Sequence, residues 1–258
     1  MARVRRPDGA DIDWQERGEG PPVVLSNIGY AGPALLESLA ADLAADHRVI
    51  GWHTRGAGES SRVGPYTVDA DAGDLIAVLE AAGASGCVAV GNGDGVDRAI
   101  QAAALRPDLV AAVVAPGGVA AGGRGGSGLS SSTSVLDALL TLLENDYRTG
   151  VNAFISAGNP GLGEEAIQAR VDEIVGYCSQ EATVARIRSW IDNEPANDAR
   201  ALGDRLWLLH HDANPWFADT ERSAALFPDA HHVHVEDGAF SRPDLTAAVV
   251  RRITRAGG

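Results

Sequence analysis

Short apolar runs and amphipathic runs take turns along the chain, and this alternation limits its fold more than any other feature. "VVLS", "RVIGW", "GCVAVG" and "LVAAVVA" each read as a buried strand. Between them, "PALLESLAADLAADH", "VDADAGDLIAVLEAAGA" and "VDRAIQAAALRP" carry apolar residues at helical spacing. Parallel strands need crossovers of this kind, and strands that are apolar throughout need cover on both faces. The pattern therefore predicts an α/β fold: a mostly parallel central sheet with helices on both sides. The opening "ADIDWQERGEGPP" alternates and then breaks at Gly and Pro, as an early strand and hairpin would.

After residue 116 the alternation stops. "PGGVAAGGRGGSGLSSSTS" is a Gly/Ser-rich loop, and from Val135 to about Ala199 the pattern is helical with no strand signal. Alternation then resumes with "RLWLLHH" as strand, "PWFADTERSAALFP" as helix, "AHHVHVED" as strand and "RPDLTAAVVRRIT" as a last helix. The division expected is a core of residues 1–116 and 200–258. Residues 117–199, the loop and the helical block, would form a lid over the C-terminal edge of the sheet, where ligands of such sheets bind. In "SRPD", Ser241 reads as a helix N-cap with Arg242 and Pro243 in the first turn.

Charge removes several function classes. The net charge is −14, every basic residue is Arg and no Lys occurs, so a Walker phosphate loop and a Schiff-base lysine are excluded. An acidic chain without a basic run is poorly suited to nucleic acid or to an anionic membrane surface. No apolar run approaches the roughly 20 residues that span a bilayer, and "MARVRRPDGADIDW" has no apolar signal-peptide segment. Cys87 and Cys178 read as reduced thiols. The expectation is a cytoplasmic protein with a small-molecule substrate and with no nucleic-acid or membrane partner. Its oligomeric state is not set by the sequence. The abundance of Ala, Gly and Arg without Lys suggests a high-GC bacterial genome.

The corner "GNGDG", residues 91–95, lies where "GCVAV" runs into the helix "VDRAIQAAALRP". As "GNGDGV" it lacks the third Gly of a dinucleotide fingerprint and follows a mid-chain strand, so no cofactor is expected. The late histidines His210, His211, His231, His232 and His234 do not make a metal motif, because in a strand His232 and His234 share one face and His231 takes the other. Surface histidines are the default reading, and no metal is expected.

In order along the chain, "GEGPPVVLSNIGYAG", "RVIGWHTRGAGES", "VAVGNGDGVDRAIQAAALRPDLVAAVV", "LWLLHHDANPW" and "HVEDGAFSRPDL" resemble segments of the α/β-hydrolase family. The resemblance covers nearly the whole chain and implies an α/β-hydrolase fold with an inserted helical lid. It also implies where the family's chemistry would sit. The nucleophile of the G-x-S-x-G elbow falls on Gly93, the acid before Pro on Asn214, and the histidine after Gly on Ala239. The His-Gly pair that opens the oxyanion loop reads Ser26-Asn27. A divergent member lacking the Ser-His-Asp triad is expected, and the usual attack, acyl-enzyme and hydrolysis would not run through these residues.

The resemblance places Asp94 toward the substrate pocket, where a partly desolvated carboxylate could act as general base or acid; a helix-capping role is its structural alternative. Asn27, Asn92 and Asn214 would orient a polar group without titrating. Ile28, Tyr30, Trp216 and Phe240 would give apolar walls, with Gly93 and Ala239 at the vacated positions and His211 beside the former acid loop. The leading expectation is a non-hydrolytic enzyme, a cyclase, lyase or isomerase acting on a small, largely apolar molecule such as a bacterial natural-product intermediate. A non-catalytic ligand-binding pseudo-hydrolase and an atypical hydrolase with another nucleophile or direct water attack are the alternatives.

Overall fold

The computed structural model describes residues 2–119, 133–159, 161–210, 220–235 and 242–256. Among these residues, eight strands form one sheet: β1 (Ala2–Arg5), β2 (Asp11–Arg17), β3 (Pro22–Ser26), β4 (Arg48–Trp52), β5 (Cys87–Gly91), β6 (Val110–Pro116), β7 (Leu206–His210) and β8 (His231–His234). Their order is β1-β2-β4-β3-β5-β6-β7-β8. Only β2 runs against its neighbours, pairing antiparallel with both β1 and β4; every later pairing is parallel.

The predicted early strand is β2, but its hairpin partner lies before it in the chain. β1 pairs Ala2 with Trp14 and Arg5 with Asp11, and the turn between them is "RPDGA". β1 carries alternate Arg residues on an exposed edge strand, so its sequence lacks the apolar run that marked the others.

Helices α1 (Glu37–Leu43), α2 (Val68–Ala81), α3 (Asp94–Leu105) and, at the end of the chain, α10 (Pro243–Ala256) are the crossovers and cover of the core. Along β3, Val23 and Leu25 point to the α1/α10 side and Val24 to the α2/α3 side, giving two apolar layers separated by the sheet. The block between β6 and β7 contains α4 (Thr133–Asn145), α5 (Tyr147–Gly158), α6 (Glu164–Tyr177), α7 (Gln180–Asp192) and α8 (Ala196–Leu202). It has its own apolar centre, including Leu143, Val171, Ile187 and Ile191, which Tyr30 and Tyr66 of the core join. An isolated antiparallel bridge between Ala57 and Cys178 ties the α6–α7 connection to the loop after β4. α9 (Thr220–Leu226) lies between β7 and β8. Helix α10 begins at Pro243; Ser241, read as its cap, lies outside the described residues.

Cys87 and Cys178 are both buried, unpaired thiols. No helix among the described residues is long and apolar enough to cross a membrane.

Candidate functional site

At the end of β5 the chain turns through Asn92 and Gly93 into α3. Gly93 has φ 57° and ψ −128°, a conformation that a residue with a β-carbon rarely adopts. A strand-to-helix turn this sharp has the geometry of a nucleophile elbow. A β-carbon at Gly93 would sit 2.8 Å from Ile28 Cγ1, so the side chain of Ile28 occupies the space directly over the turn.

Asp94 is the first residue of α3 and is 4% exposed. Its carboxylate does not cap the helix. One oxygen accepts the Gly29 backbone N–H at 3.0 Å, and the other is ion-paired with Arg98 one turn along and lies 4.0 Å from Arg186 Nε. Arg186, from α7, donates to Asp71 of α2 at 2.7 Å and to the Arg55 carbonyl at 2.8 Å. Arg98 lies 3.7 Å from the same Asp71. Two carboxylates and two guanidiniums thus balance one another in a dry region where core, elbow and inserted block meet. Burial pushes the Asp94 carboxyl above the ordinary range, and Arg98, Arg186 and the Gly29 N–H pull against that shift.

The amides expected to orient substrate instead hold the loop after β3 to the elbow. Asn27 Oδ1 accepts the Ile28 N–H at 2.8 Å and Asn92 Nδ2 at 3.3 Å, while Asn27 Nδ2 donates to the Gly32 carbonyl at 2.8 Å. Asn92 Oδ1 is buried with no hydrogen-bond partner among the described residues. Tyr30 is buried against the inserted block, its ring edge-on to Phe154 at 6.0 Å, and burial pushes its phenol well up. The structure therefore brings Asn27, Ile28, Tyr30, Asn92, Gly93 and Asp94 together around one corner. His211, Asn214, Trp216, Ala239 and Phe240 lie outside the described residues.

Sequence reasoning missed the partners of Asp94. The Asp94–Arg98 spacing of i,i+4 was a usable signal; Arg186 and Asp71, distant in the chain, had none. The surface reading holds for the exposed His231 and His234 and fails for His210 and His232. His210 is 1% exposed, stacks on His232 at 5.1 Å and shares a 2.8 Å hydrogen bond with it, because the register pairs Leu208 with His232 and so sets His210 diagonally across from it on the same face. His232 Nε2 meets the Phe227 carbonyl at 2.9 Å, so this nitrogen carries the proton.

Asp97, also on α3, is 1% exposed and accepts Asn193 Nδ2 at 2.8 Å. Burial pushes its carboxyl up to about 8, and the charge of Asp94 adds to the shift. An unfolded Asp titrates near 3.9, so between about pH 4 and 8 the folded state keeps a proton that the unfolded chain has released. The stability this group contributes is full below about pH 4 and is lost as pH rises through about 8, by at most about 1.4 kcal/mol per pH unit. Asp97→Asn is expected to flatten that decline and to raise the melting temperature at pH 8. Melting curves of both proteins at pH 5 and pH 8 check it; parallel declines would remove Asp97 as the cause.

Asn27 and Ile28 also line a cavity of about 180 Å³. Arg98 borders it, and Asp94 and Gly93 do not. No cluster of three or more potential metal ligands occurs among the described residues.

No protein-family model matches the chain. A stretch of 110 residues, 42% of the chain, is 38% identical to part of the polyketide synthase ThaQ of Burkholderia thailandensis, and the match spans 5% of that protein's length. Among solved structures, a bromoperoxidase from Bacillus anthracis superposes with a TM-score of 0.81 at 17% identity, covering 100% of this chain and 99% of that one. An esterase from Exiguobacterium antarcticum gives 0.81 at 17% identity over 98% of each chain. The bottromycin epimerase BotH, solved in complex with bottromycin A2, gives 0.72 at 20% identity over 99% of this chain and 98% of that one. These likenesses establish the α/β-hydrolase fold.

Proposed function

We propose that this chain is an enzyme that uses the α/β-hydrolase scaffold without forming an acyl-enzyme. It orients a small, largely apolar molecule of polyketide type for a cyclisation, elimination or isomerisation that needs one proton transfer. The observation that carries this reading is the packing of Ile28 over Gly93. A covalent mechanism needs a nucleophilic atom projecting from the elbow and room for the substrate's carbonyl carbon above it. At this elbow there is no side chain, and an isoleucine fills the approach. The partial likeness to a polyketide synthase supports the substrate class, and the epimerase among the structural neighbours supports a non-hydrolytic use of the scaffold.

The test is exposure of the purified protein to 4-nitrophenyl acetate, 4-nitrophenyl butyrate and a fluorophosphonate, read by released nitrophenol and by intact-protein mass. The expected result is no adduct and no release above background. A stoichiometric adduct would overturn the reading, and so would catalysed ester turnover without one, which would establish an atypical hydrolase.

The charge balance around Asp94 favours a second reading, a ligand-binding protein without turnover. Both oxygens of this carboxylate are engaged, one by the Gly29 N–H and the other by Arg98, and Asp94 does not line the cavity, so it presents no free oxygen to a substrate proton. In the enzyme reading, Asp94→Asn abolishes turnover of the bound molecule; in the binding reading its whole effect falls on stability.

A further inference from the structure

We propose that the cavity beside the loop after β3 binds a neutral, mostly apolar small molecule bearing one carbonyl group, whose oxygen accepts a hydrogen bond from His53 Nε2–H. This rests on the non-acylating reading and adds to it a place, a ligand class and a residue.

The cavity lies where β4 carries no side chain, at Gly51. A β-carbon at Gly51 would meet no atom within 4 Å, which leaves open space on the α1 side of the sheet. Leu25 and Val49 wall that space from the sheet and Ala40 walls it from α1. At about 180 Å³ it is smaller than the roughly 300–1,000 Å³ of drug-sized sites, so it takes a fragment-sized molecule or one end of a longer one.

Charge at the cavity is already compensated. Arg17 pairs with Glu37 at 2.7 Å, Glu16 accepts from Arg48 Nε at 2.8 Å, and Arg98 is held by Asp94 and the Asn27 carbonyl. Each charged side chain at the cavity thus has an opposite or accepting partner, so an ionic ligand would enter without a counter-charge and pay its desolvation in full. A neutral ligand pays no such cost.

The polar end is set by His53. Its Nδ1 accepts the Glu59 backbone N–H at 3.2 Å. A neutral imidazole accepting at Nδ1 carries its proton on Nε2, which makes Nε2 the donor toward a ligand. Burial holds the His53 pKa below its usual value, so the ring is neutral at pH 7. Its orientation is fixed twice more. Gly58 leaves room for the ring where a β-carbon would come within 2.3 Å of Nδ1, and Tyr177 of α6 packs edge-on at 5.5 Å. An oriented neutral imidazole in the lining of the cavity can polarise a carbonyl without needing a charge there.

The probe is acetophenone, neutral and mostly apolar with one carbonyl, followed by saturation-transfer NMR on the full chain and by the ¹⁵N shifts of the His53 ring. Wild-type protein is expected to bind it saturably, with a shift at Nε2. Gly51→Val puts a branched side chain into the open space and is expected to abolish binding while keeping the wild-type melting temperature within a few degrees. His53→Asn keeps an acceptor for the Glu59 N–H, removes Nε2, and is expected to weaken binding about tenfold. Binding that survives Gly51→Val, benzoate binding as well as acetophenone, or no saturable binding by the wild type would each overturn the proposal. Those failures leave the acylation test untouched, and an adduct in that test would overturn the non-acylating reading whatever acetophenone does.

Discussion

Asp94→Asn is expected to cost about 3–5 kcal/mol of folding stability, the usual penalty for breaking a buried ion pair from one side. Burial on its own would favour a neutral side chain at position 94. Arg98, however, has no accessible neutral form. With Asp94 uncharged, two buried guanidiniums would be left sharing Asp71, which Arg186 already holds at 2.7 Å and Arg98 reaches only at 3.7 Å. The remaining charge would sit where solvent cannot reach it, since Arg98 and Arg186 are both 0% exposed. Against a total stability of about 5–15 kcal/mol for a typical domain, such a loss is severe. Urea unfolding measures it, and the double variant Asp94→Asn, Arg98→Met is the companion. Removing both charges is expected to restore most of the loss, because an apolar replacement of a buried pair is often neutral. A loss under about 1 kcal/mol in the single variant would mean that the pair does not hold this corner. Activity measurements on Asp94 variants therefore need a stability measurement beside them.

Gly95→Ala should be more damaging still, with a loss of about 4 kcal/mol or more and little folded protein at 37 °C. A β-carbon at Gly95 would lie 1.9 Å from the Ser26 carbonyl oxygen and 2.8 Å from that of Asn27. Both are backbone atoms, so no rotamer change relieves the clash. The only relief is to part α3 from the end of β3, and Asp94 reaches the Gly29 N–H across that same junction. Gly51→Ala is the internal control. The new methyl there meets nothing, and replacing a mid-strand glycine is expected to gain about 0.5–1 kcal/mol. Equal effects at the two sites, measured by thermal melts, would show that the contacts at Gly95 do not decide its tolerance.

Much of the fold could be read from the sequence because strand and helix periods are local. The runs behind β3 to β8 and the corner at residues 91–95 are each visible within about a dozen residues. Features that depend on distant or missing atoms were not legible. β1 is an exposed, arginine-bearing edge and resembles a tail until its pairing with β2 is known. Asp94 was singled out, but its approach to Arg186 of α7, 4.0 Å away, has no sequence signature. The cavity at Gly51 is an absence of side chain, and one glycine among 31 does not announce one. The stacking of His210 on His232 needed the register of β7 against β8, which composition does not give.

Arg186 has a consequence for how the molecule can be cut or recombined. It grows from the inserted block, yet it completes a charge balance whose other members, Asp71, Asp94 and Arg98, belong to the core. The insertion is therefore not a detachable module. Excising it, or grafting on the equivalent block of another scaffold, would leave the core with an unmatched set of ions at a buried corner. A working chimera must carry Asp71 and the Asp94–Arg98 pair along with the graft, or replace all four residues with apolar ones together. Substitutions at these four positions should accordingly be inherited as a set.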